Sequence, residues 1–201
     1  MAQAAAVEED KVLPFYCFST LARLLGKDIP PVVLPKEYAT KECPLFVTWK
    51  VQAGHHLRGC IGTFGDMQLP SGLEEYTERS ALRDRRFKPV RLDEVPSLEC
   101  GVSLLVDFED GADYLDWTVG VHGIRIHLTV AGRAYSATYL PEVAGEQGWG
   151  KMDTINSLLR KAGYTGPLNK AIHSSIALQR YQSRKFHATY EEWAASTGGL
   201  K

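Results

Sequence analysis

The segment Leu57–Phe64 reads LRGCIGTF and places a thiol, Cys60, between glycines, with Arg58 two residues ahead of it. The thiolate is the reactive form of cysteine, and a neighbouring cation favours it. Gly59, Gly62 and Gly65 recur at three-residue spacing. Glycine weakens a strand, so such a run marks a bulge, a corner or the close approach of another group. Two chemistries follow. In one, Cys60 is a nucleophile, with His122 as base and Glu142 as the group that orients it. In the other, Arg58, Gly59, Cys60, Ile61 and Gly62 line a cleft where the backbone approaches a ligand and Arg58 anchors its anionic group. The plain structural alternative is a small buried thiol at a tight corner. His55 and His56 lie nearby, but adjacent strand residues face opposite ways, so at most one can assist Cys60.

The second group is electrostatic. From Arg79 to Arg91, six basic residues stand against one acid, Asp84, a net +5. Arg83, Arg85 and Arg86 are its candidate phosphate contacts, which makes nucleic acid a candidate partner. The alternative is a solvated helix end, with Arg85, Arg86 and Lys88 at the negative end of the dipole. From Asp107 to Asp116 there are five acids and no base. This run either pairs with the basic one or forms a loop, and it lacks the ligand order of a calcium loop. Glu142 follows Pro141 at a helix start, where it can equally cap its own helix, and His122 can equally support a turn. Cysteine and histidine never occur at paired ligand spacing, so neither a metal nor a cofactor is expected.

These residues need elements to position them. Phe15, Phe18, Leu21, Ala22 and Leu25 predict a helix over 14–25. Residues 27–43, with Pro30, Pro31 and Pro35, predict an extended connection. Strands are expected over 45–51 and 56–61, joined by a turn at 52–54. A helix over 71–87 is expected to start on a Ser71–Glu74 capping box and to stop at Pro89. Alternation predicts a strand over 98–108 and a hairpin of 123–130 and 133–140 about Ala131–Gly132. Ile155, Leu158, Leu159 and Ala162 mark a helix capped by Asp153. A strand over 176–188 and a helical turn over 190–195 complete the chain. The four tryptophans are expected in the core. Short-turn strand pairs interspersed with helices mean α+β, with a largely antiparallel sheet flanked by helices.

Composition frames this reading. The chain has 201 residues, is 44% apolar and 23% charged, and has a net charge of −1. That is a globular composition, without the basic excess of a nucleic-acid or membrane coat. Residues 1–10 lack a basic and apolar leader pattern, so no secretory signal is expected, and with no apolar run long enough to span a membrane no membrane partner is expected either. Four scattered cysteines then read as reduced thiols of the cytosol or nucleus. Residues 1–10 and 196–201 are expected as tails around a domain of 11–195.

LRGCIGTF resembles the signature of the AMMECR domain family. PLFVTWK (44–50), SALRDRRFKP (80–89), GVSLL (101–105), GVHGIRI (120–126), TYLPEVA (138–144) and SLLRKAGY (157–164) are similar to it as well. The wording is closer to the family's eukaryotic branch. The resemblance implies an α+β fold of two subdomains about a shared antiparallel sheet, with the RGCIG segment near their junction. It implies no established activity, but it does suggest a nuclear or cytoplasmic location. Two functions are carried forward. One is an intracellular binding or regulatory module for a small ligand, peptide or nucleic acid. The other is a cysteine-dependent enzyme with Cys60 as nucleophile, acting in nucleic-acid or modification metabolism.

Overall fold

The structure, a computed structural model, describes residues 9–200. Most of the expected N-terminal tail and Lys201 therefore lie outside the described residues. The chain divides into two units, one running to Leu104 and resuming at Arg184, the other comprising Leu105–Ser183. The fold is α+β. Strands β1 (Glu42–Val51), β2 (His56–Gln68), β3 (Leu98–Asp110), β4 (Gly123–Val130), β5 (Arg133–Tyr139) and β6 (Ala177–Thr189) hydrogen-bond in the order β2-β1-β3-β6-β4-β5. β3 and β6 each contribute one part to either unit.

In the first unit, helices α1 (Val12–Leu24), α2 (Lys36–Ala39), α3 (Leu69–Leu82) and α7 (Tyr190–Thr197) accompany β1 and β2. Alternation along β1 sends Leu45, Val47 and Trp49 into the core, all fully buried. Phe18 of α1 meets Trp49 edge-on at 5.2 Å and stacks on Trp193 of α7 at 5.6 Å. Both indoles find polar partners: Trp49 Nε1 donates to Ser80, and Trp193 Nε1 donates to Ser19. Buried indoles need such partners, so Ser80 fixes α3 on β1 and Ser19 ties α1 to α7.

The second unit packs β4, β5, α4 (Pro141–Glu146), α5 (Lys151–Lys161) and α6 (Lys170–Ser174) around Trp117, Ile124, Ile126, Ile155, Leu158 and Leu159. Ala131 and Gly132, both at positive φ, make the two-residue turn of its hairpin.

Five local expectations change. The connection 27–43 contains α2, because burial of Tyr38 rewards one helical turn there. α3 begins at Leu69, so Ser71 is not its cap; its hydroxyl donates back to the Gln68 carbonyl. The same helix ends at Leu82, five residues short of Phe87, where Asp84 draws the chain into a turn. Asp153 accepts from the Gly150 N–H at 3.2 Å, but it does so from inside α5, with Gly150 as the capping residue. At the C-terminal end, α7 extends to Thr197.

Candidate functional site

β2 is an edge strand, paired only with β1. Thr48 of β1 faces Cys60 on one side and Gly101 of β3 on the other, and Phe46 faces Gly62 and Ser103. These residues alternate with the buried set Leu45, Val47 and Trp49, so they lie on the sheet face opposite α1 and α3. All are half-buried. The result is a face of small side chains ending at an aromatic pair, Phe46 and Phe64, 5.2 Å apart.

The glycines of the segment are required by the protein itself. A Cβ on Gly59 would lie 2.0 Å from the Ser80 carbonyl oxygen, and one on Gly62 would lie 2.3 Å from that of Leu45. The backbone of β2 is thus pressed onto α3 and β1. Gly65 is different, with its nearest neighbour at 3.5 Å.

At Cys60 the open edge of β2 is closed by side chains. Its N–H donates to Asp84 at 3.0 Å, and its carbonyl accepts from the Arg86 guanidinium at 2.9 Å. Arg86 in turn grips Asp84 through two donors, at 3.0 and 2.7 Å. Asp84 is buried, and its hydrogen bonds from Arg86 hold the carboxyl well below the usual carboxylate range. The pair satisfies the groups that a neighbouring strand would otherwise take.

Arg58 also faces inward. Its guanidinium donates to Glu94 at 3.0 and 3.3 Å and to the carbonyls of Lys88 and Pro89. The residue expected to anchor an anion is therefore engaged by the 88–94 loop, with its side chain only 13% exposed. The guanidinium beside this face is that of Arg86, 55% exposed.

The basic run is largely neutralised where it stands. Arg79 pairs with Glu75, Arg83 with Glu78, Arg86 with Asp84 and Arg91 with Asp93. Arg79 stands in the last turn of α3, but Arg85, Arg86 and Lys88 do not form a helix end, because α3 has already ended at Leu82. Two of the acidic residues of 107–116, Glu109 and Asp116, pair with Arg180.

Of the four cysteines only Cys60 is half-exposed. The Thr48 hydroxyl donates to its sulfur at 3.2 Å. His122 and Glu142 belong to the second unit, where His122 Nδ1 accepts the Thr118 N–H at 2.9 Å. Acceptance at Nδ1 leaves the proton of the neutral ring on Nε2. Glu142 lies in the first turn of α4. Ile61 is half-buried on β2, and Arg83 caps the C-terminal end of α3.

The residues that sequence reasoning missed are Thr48 and Asp84. A lone acid inside a basic run was the available signal for Asp84. Among the described residues no group of three or more His, Cys, Asp and Glu side chains is placed to hold a metal ion, and no helix is long and apolar enough to cross a membrane.

The AMMECR1 family model matches residues 15–186. An uncharacterised protein of Arabidopsis thaliana is 47% identical over 192 residues, covering 93% of this chain and 88% of its own. An uncharacterised protein of Schizosaccharomyces pombe is 42% identical, with 89% and 92% covered. A crystal structure of an uncharacterised protein from Pyrococcus horikoshii has the same fold, with a TM-score of 0.66, 25% identity, and coverage of 89% and 91%.

Proposed function

This chain belongs to the AMMECR1 family, and we propose that within it the RGCIG segment serves an intracellular binding module, acting in the nucleus or cytoplasm. The ligand is a compact molecule or peptide that lies on the half-buried face of Thr48, Cys60, Gly101 and Ser103. One observation carries this reading: the strand register gathers small side chains beside an aromatic pair and an exposed guanidinium. Small residues admit a ligand close to the backbone, an aromatic wall supplies apolar contact, and Arg86 offers charge. Arg58, Asp84 and Glu94 shape the site from behind. Nucleic acid is the less favoured ligand, because pairing with carboxylates removes most of the charge that phosphate recognition needs.

A screen of nucleotides, amino acids, phosphorylated metabolites and short peptides for thermal stabilisation tests the proposal. A stabilising hit should lose its effect once Cys60 is capped with N-ethylmaleimide. A hit that stabilises capped and uncapped protein equally argues against this face.

The enzyme reading draws on a different observation, the Thr48 hydroxyl on the Cys60 sulfur with Arg86 nearby, both of which favour a thiolate. Iodoacetamide reactivity that titrates near the ordinary thiol value of about 8.5 removes it.

A further inference from the structure

Glu99 is the second residue of β3 and is 4% exposed, the single carboxylate in the strand's opening stretch LECGVSLLV. Its hydrogen-bond partners are two imidazoles. His55 Nδ1 stands 2.9 Å from both of its oxygens, and His187 Nε2 of β6 stands 3.3 Å from one. His55 lies in the turn between β1 and β2 at φ 51, directly after Gly54 at φ 82. A left-handed histidine is costly without a contact that holds it.

We propose that Glu99, His55 and His187 form a pH-sensitive latch that fixes the β1–β2 turn in mildly acidic solution and loosens it as pH rises. Histidine exchanges its proton between about pH 5 and 8. When both rings are charged, the buried anion lies between two cations; when they are neutral, an N–H can still donate to the carboxylate but the ion-pair attraction is gone. Burial pushes the Glu99 carboxyl up, but the hydrogen bonds from His55 and His187 outweigh it and leave the group lowered. These contacts favour the ionised form of Glu99.

Other groups face the cluster. Lys50 of β1 is opposite Glu99 in the ladder. Glu192 of α7, itself paired with Lys11, also acts on His187 and adds to the favourable field when that ring is charged. Gln52 ties the turn independently of pH, through its own N–H to the Ser97 carbonyl and through its side chain to Leu98 and Glu191. His56 folds over Gly54. The latch therefore modulates an anchored turn and does not unfold the strand.

Amide hydrogen exchange of His55, whose N–H donates to the Gln52 carbonyl, tests the proposal between pH 5.5 and 8 once corrected for intrinsic rate. Protection is expected to fall about fivefold across that range in the natural protein, the scale set by losing ion pairs to partly exposed histidines. Glu99→Gln should abolish the dependence. If it fails to fold, His55→Asn with His187→Gln serves instead, since asparagine tolerates the left-handed backbone. A flat profile in the natural protein, or an unchanged one in a folded variant, overturns the latch.

Discussion

The carboxylate of Asp84 accepts the backbone N–H of Cys60 at 3.0 Å, closing the edge of β2 at the one cysteine left half-exposed. This contact joins two stretches distinctive in the sequence, RGCIG and RDRRF, into one site. Its carboxylate must be ionised to hold Arg86 and the Cys60 backbone together.

Acid stability should therefore depend on Asp84. Its folded carboxyl lies well below the unfolded value, so its contribution is fully present above about pH 4 and disappears as pH falls further. Asp84→Asn should lower the melting temperature at pH 6 and reduce the loss of stability between pH 4 and pH 2. Thermal melts across that range check both.

Glycine substitutions should separate packing from permissiveness. Gly59→Ala puts a methyl into the Ser80 carbonyl and should cost about 2–3 kcal/mol or prevent folding. Gly65→Ala meets nothing closer than 3.5 Å and should change stability by less than about 1 kcal/mol. Urea denaturation midpoints measure the difference.

Arg58→Ala should destabilise by about 1–3 kcal/mol, because Glu94 and two carbonyls lose their donor. Lysine should restore only part of this, since it lacks the planar fork that engages Glu94 through two donors. Chemical denaturation of the alanine and lysine variants provides the comparison.

Iodoacetamide should label Cys60 first in the folded protein. Cys17, Cys43 and Cys100 are buried, and burial pushes the thiols of Cys43 and Cys100 up. Peptide mapping after short exposure checks the order, and labelling of a buried cysteine ahead of Cys60 contradicts the assignment.

The hairpins and α5 were legible in the sequence because their signals are local: a two-residue turn, alternation, and apolar spacing of three and four. Cys60 stood out for the same reason. Its surroundings were not legible, since Arg58 meets Glu94 across 36 positions and Cys60 meets Asp84 across 24. No periodicity encodes such pairs. The charge of 79–91 was countable, but its cancellation depends on Glu75 and Glu78 of α3 and on Asp93, acids just outside the run. Glu99 offered a quieter hint. A single acid in LECGVSLL must find partners when the strand is buried, but only the fold reveals that these are histidines.

The rate of Cys60 alkylation in the presence of a stabilising ligand tests the binding face most directly. At a tenfold excess over its Kd, such a ligand should slow Cys60 labelling about tenfold, in step with its occupancy. A ligand that raises the melting temperature while Cys60 reacts at its unliganded rate binds elsewhere, and that result contradicts the account.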